Sequence, residues 1–193
     1  MSSPCDPANA SAGDVGAALM VVDSRLKALY DGTGVPDPRQ QELLNQYAAS
    51  LGPQGIEALV DGACTLIYMF MCWLRAAYED HEKDPIEEVV PSVVATMRMM
   101  PKTFRPEVIP TMAGLLVAAG TGLSPNLWRA QYGRWTAAEM NPLEATAVLL
   151  ADHINRITGD DHEFATRLIS NALSQAERDE DEDMVEGDVR ADE

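Results

Sequence analysis

Lysine is nearly missing from this 193-residue chain. Only Lys27, Lys83 and Lys102 are present, against eleven arginines and 31 acidic residues. The formal net charge is −17 and the pI is near 4.4. A nucleic-acid backbone is bound by clustered cations that displace counterions, so direct nucleic-acid contact is not expected. The same shortage disfavours an anionic membrane surface. A protein partner of basic or neutral character fits the charge better. Arginine over lysine in an Ala-rich background reads most simply as a GC-rich coding genome.

Cysteine is almost as scarce. Cys5, Cys64 and Cys72 make an odd set with no CxxC spacing, which excludes a disulfide framework or zinc knuckle as the organising device. Cys64 and Cys72 fall on one predicted helix about 12 Å apart, too far to bridge. Reduced thiols suit a cytoplasmic setting. The segment from Met1 to Asp14 has no basic start and no apolar run, so no signal peptide is expected. The stretch Gly62 to Leu74 is uncharged but bracketed by Asp61 and Arg75. It falls well short of the roughly 20 residues a bilayer span needs and reads as a buried core helix, not a membrane span.

Chemical signatures are missing too. There is no GxSxG elbow, no phosphate-binding glycine loop, no HExxH and no EF-hand spacing. No catalytic residue, cofactor or metal site is therefore assigned. The three histidines, His81, His153 and His162, read as surface residues near helix ends. A metal-dependent enzyme is the least favoured alternative, since Glu139, Glu144, Asp152 and His153 would have to converge from separate turns.

What the chain does have is clear helix punctuation. Val15, Leu19, Val22, Leu26 and Leu29 form one stripe from Asp14 to Tyr30, with Gly32 placed as a stop. After a Gly34-Val35-Pro36 turn, Asp37 is expected to cap a second helix that ends at Gly52. A third, from about Gln54 to Tyr78, is apolar nearly all round: Ile56, Leu59, Val60, Ala63, Ile67, Phe70 and Leu74 on one stripe, with Cys64, Leu66, Met71 and Trp73 elsewhere. Asp84-Pro85, Arg105-Pro106 and Ser124-Pro125 open three more, with Pro91 and Pro110 inside the first two as kinks or restarts. Both Thr136-Ala-Ala-Glu139 and Asn141-Pro-Leu-Glu144 resemble helix starts with a returning glutamate. The second is expected to begin a helix through Ile157. Asp160 or Asp161 caps the last, with Phe164, Leu168, Ala172 and Leu173 inward and fraying after Ala176. No period-two β pattern occurs.

The expected fold is all-α: a compact single-domain bundle of about seven to eight helices around a central apolar helix at about 54–78. Residues 1–13 are expected to be a disordered N-terminal segment, 14–176 the helical domain and 177–193 a disordered acidic tail. The tail holds ten acidic and two basic residues.

Two stretches stand out as candidate partner sites. Met97, Met99 and Met100 belong to a methionine-rich middle region, and methionine is over-used on adaptable binding surfaces and in cores alike. If exposed, they form the lip of a helix-binding groove. The run Leu127 to Trp135 interleaves Trp128, Tyr132 and Trp135 with Arg129 and Arg134. Those residue types anchor protein interfaces, although they also pin a short helix to a core. The leading functional expectation is a non-catalytic helical interaction protein, a regulator or assembly factor. The second is an acidic regulator that mimics nucleic acid toward a DNA- or RNA-acting protein. Self-association into a homo-oligomer stays compatible with the pattern.

Overall fold

The computed structural model describes residues 10–33 and 38–189. Cys5, the expected turn at 34–36 and the Asp37 cap lie outside the described residues. Seven helices and no strand are found among them, as the periodicity predicts: α1 (Ala12–Tyr30), α2 (Pro38–Glu79), α3 (Pro85–Met99), α4 (Ile109–Gly120), α5 (Pro125–Ala130), α6 (Ala137–Ile157) and α7 (Phe164–Val189).

The second half of α2 is the axis of the bundle, and α2 packs against every other described helix. Cys64, Leu66, Ile67, Phe70, Met71 and Leu74 are all sealed from solvent. Each large apolar side chain so buried contributes about 1.5–3 kcal/mol, which fixes why the neighbours wrap this segment. Gly55–Glu79 is long and apolar enough to cross a membrane by length and composition, and half of its most apolar window is buried inside the bundle. Gly62 lets α1 approach closely, because a Cβ there would overlap the Asp14 carbonyl.

Several boundaries differ from the sequence expectation. α1 starts at Ala12 with Ser11 as its cap, and Ala10 is buried with its N–H donated to Thr65 Oγ1, so the chain is tied down before Asp14. The expected stop at Gly52 does not occur: the helical backbone runs through Gly52-Pro53 and joins two predicted helices into one. An interior glycine and proline cost about 1 and about 3 kcal/mol, so this junction is the weakest point of α2 on intrinsic grounds.

Pro91 sits inside α3, where it has no N–H to give the Glu87 carbonyl, whereas Pro110 lies in the first turn of α4 and starts it. Arg105-Pro106 is turn rather than helix. Of the two overlapping start signals, the first wins. The Glu139 carboxylate accepts from both the N–H and the hydroxyl of Thr136, and Asn141-Pro142 falls inside α6. The backbone of α7 stays helical to Val189, beyond Ala176.

At the turn between α6 and α7, Gly159 and Asp160 both take positive φ. The buried Asn155 side chain locks that turn, donating to Tyr30 Oη and the His162 carbonyl and accepting from the Ala165 N–H. Ala165 and Ile169 are the buried centre of α7, flanked by half-buried Phe164, Leu168, Ala172 and Leu173.

Candidate functional site

The aromatic–arginine run forms α5 and the loop after it. Ser124 caps α5 by accepting from the Leu127 N–H, and Pro125 at the first position needs no donor. The arrangement then splits the run into a buried half and an exposed half. Arg129 turns inward. One Nη donates to Glu139 Oε2 and to the Arg134 carbonyl, both at 2.8 Å, and the guanidinium lies 4.5 Å from the centre of the Trp135 ring. Burial alone would raise the Glu139 carboxyl, but hydrogen bonds from Thr136 and the Arg129 charge outweigh it and hold the group below its usual range.

The half-buried Trp128 presses on Gly114 of α4, where a Cβ would crowd its ring, and tilts against Tyr132. Outward stand Leu123 at 58% exposure, Leu127 at 57% and Tyr132 at 67%, beside the almost fully exposed Arg134 side chain. Arg129 and Met97 are thus corrected as partner contacts. Both are buried, Arg129 because one Nη meets two acceptors and the guanidinium lies on an aromatic face, although its Nε is buried without a partner, and Met97 because its side of α3 faces the core. Met99 is exposed and Met100 half-buried.

A second region went unread in the sequence. Helices α1, α3 and α6 enclose a half-open cavity of about 480 Å³. Its charged groups come in two pairs. Arg25 of α1 donates through Nε to Glu144 Oε1 at 2.7 Å, and Arg156 bonds Asp152 Oδ2 at 2.7 Å within α6. The Tyr30 hydroxyl donates to the other Asp152 oxygen. Leu29, Val148 and Leu149 supply apolar wall, while Ser92, Thr96 and Thr103 supply hydroxyls. Met100 reaches the same cavity, so the predicted groove lip is represented by that one methionine.

Three of the four groups that a metal-dependent enzyme would need, Glu144, Asp152 and His153, line this cavity. Glu139 is apart, in the Arg129 pair. His153 Nε2 lies 3.3 Å from the Tyr78 hydroxyl, and burial lowers its pKa against the opposing charge of Asp152. His162 is exposed and stacks on Tyr30 with ring centres 3.8 Å apart. No metal-ligating group of three or more His, Cys, Asp or Glu residues occurs among the described residues. Cys64 is a buried thiol that desolvation pushes well above its usual value, and Cys72 is raised for the same reason, so neither sits in a setting that activates sulfur.

The signal for the cavity was present but split. Arg25 interrupts the α1 stripe beside Leu29, and α6 carries Ala145, Val148 and Leu149 on a side that its main stripe does not use. A second small apolar face interleaved with Asn141, Asp152 and Arg156 marks a helix that borders an opening. Comparison with protein-family models, with curated proteins and with solved structures finds no match for this chain.

Proposed function

We propose that the chain is a non-catalytic helical interaction protein, a regulator or assembly factor that docks a partner protein through the platform around α5. The observation that carries this reading is the exposure of Leu123, Leu127 and Tyr132 on one short stretch whose base is clamped by the buried Arg129–Glu139 pair. Apolar anchors held rigidly lose little side-chain and backbone freedom on binding, which is what an interface hot spot requires. Arg134 adds an exposed cation at the edge, 3.7 Å from Glu57. The partner this surface suits has an apolar depression for Leu127 and Tyr132 and a basic surround that complements a chain of charge −17. A cytoplasmic location accords with the reduced thiols.

The test replaces Tyr132 with a photo-crosslinking phenylalanine in the native host, beside Leu127→Asp and Tyr132→Ala variants. A discrete crosslinked protein whose co-purification is lost in both variants, at unchanged melting temperature, supports the reading. A second copy of the chain in the crosslink identifies self-association. Unchanged capture by both variants removes the platform as the docking surface.

A further inference from the structure

The apolar surface around α5 extends onto α4. Four of the nine large apolar side chains exposed among the described residues, Val117, Leu123, Leu127 and Tyr132, fall in this one stretch, so the exposed apolar area is gathered here rather than scattered. Val117 lies one turn after Gly114, which seats the Trp128 ring, and Trp128 in turn tilts against Tyr132. The strip therefore runs from α4 across Trp128 to Tyr132.

One turn of α2 flanks that strip with carboxylates. Asn126, next to Leu127, donates to the Asp61 carbonyl at 3.4 Å, and Arg134, just beyond Tyr132, lies 3.7 Å from Glu57. Both ends of the α5 stretch thus touch the turn from Glu57 to Asp61, with Leu127 and Tyr132 between them. The start of α1 closes the same corner, because the Asp14 backbone rests on Gly62. Partial desolvation, then the Glu57 and Asp14 charges, raise the Asp61 carboxyl, and neither Asp61 nor Asp14 forms a salt bridge among the described residues. Arg134 offsets little of this charge, since its contact with Glu57 is long and both side chains stand mostly in water. Arg129 is engaged with Glu139, and Arg75 sits at the opposite edge beside Gly122. The platform therefore has an apolar centre and an acidic side toward α1 and α2.

We infer that the occupant of the α5 platform is a basic amphipathic helix of a partner protein, its aliphatic face on Val117, Leu127 and Tyr132 and a lysine or arginine of its rim on Glu57 and Asp61. This inference rests on the platform reading and adds the chemistry of the occupant to it. A row of aliphatic residues at helical spacing covers such a strip, and a cation beside that row pairs with carboxylates that the fold leaves without one.

The experiment titrates the isotopically labelled full chain with three capped peptides of about 18 residues, roughly five helical turns, following backbone amide signals at about 0.15 M salt, where attraction to distant charge is screened. The probes are a leucine–lysine amphipathic helix, its leucine–glutamate counterpart, and a leucine–lysine peptide of the same composition with the helical spacing scrambled. The expected result is saturable one-to-one binding of the first, with shifts centred on the Glu57–Asp61 turn and on α5 with its following loop, and at least tenfold weaker binding of the other two. Leu127→Asp should abolish it. Glu57→Gln with Asp61→Asn should weaken it at least fivefold, whereas Glu87→Gln with Glu88→Gln, which removes equal charge from α3, should leave it unchanged. Equal binding of the glutamate or scrambled peptide, equal weakening by the two pairs of substitutions, or shifts centred elsewhere would overturn the inference. The crosslink through position 132 in the host tells the two readings apart. A crosslinked partner that is lost with Leu127→Asp but kept with Glu57→Gln and Asp61→Asn leaves the platform standing and removes its basic occupant.

Discussion

Two arginine–glutamate bridges anchor α6 to its surroundings, and they are chemically alike but differently buried. Arg129–Glu139 has side chains 10% and 11% exposed, while Arg25–Glu144 has 40% and 30%. In the first, the glutamate also closes the first turn of α6 and the arginine also meets a carbonyl and a tryptophan. In the second, the arginine is held by a single nitrogen and faces an opening. The lesson is that an ion pair serves as structure when it is enclosed and tied into neighbouring groups, even with the Arg129 Nε left unpartnered, and stays open to solvent when it is not. Burial decides which, not residue type.

Breaking the buried bridge should produce the largest effect. Glu139→Ala leaves Arg129 charged and unpaired in the interior and removes the turn that starts α6, and the expected loss is about 3–5 kcal/mol in chemical denaturation. Replacing both partners, as in Arg129→Met with Glu139→Leu, should recover most of that loss, because the cost lies in the stranded charge rather than in the missing attraction. A double variant as unstable as the single one would show that the hydrogen bonds to Thr136 and the Arg134 carbonyl dominate instead.

The same cut at the open bridge should be mild. Glu144→Ala is expected to cost about 0.2–1 kcal/mol, with the difference from wild type shrinking as salt is raised. A loss approaching that of Glu139→Ala would mean the cavity is closed in solution and would erase the contrast between the two regions.

That contrast was only half legible in the sequence. Local grammar was readable because caps act within one turn: Asp84-Pro85, Ser124-Pro125 and Thr136 with Glu139 all start helices where their residues say. The signals misread were those in competition. Asn141-Pro142 has the form of a helix start, yet Thr136 had already begun α6 and the proline is carried inside it. Gly52-Pro53 has the form of a break, yet the helical backbone passes through it. The inward turn of Arg129 depends on Glu139 and Trp135 meeting it across a loop, and the cavity wall depends on Arg25 meeting a residue more than a hundred positions away. Periodicity within one helix cannot report either partner. The aromatic run was recognised as a unit, but which half of it faces solvent is a property of the packing.

The smallest effect separates the two regions by pH. Burial lowers the His153 pKa below its ordinary value near 6.5, so the unfolded chain takes up a proton more readily than the folded one. Stability on the cavity side is therefore complete above about pH 6.5 and is lost as pH falls below it. Glu139 has the opposite chemistry but the same sign. Its carboxyl is held below the ordinary 4.5, so its contribution is complete above that value and is lost only as pH falls further. A melting curve measured from pH 8 to pH 3 should show two descents, a shallow one beginning near 6.5 and a steeper one below 4.5. His153→Gln should flatten the first and leave the second, and Glu139→Gln should do the reverse. A first descent that survives His153→Gln would place the proton on another group and break the assignment of that window to the cavity.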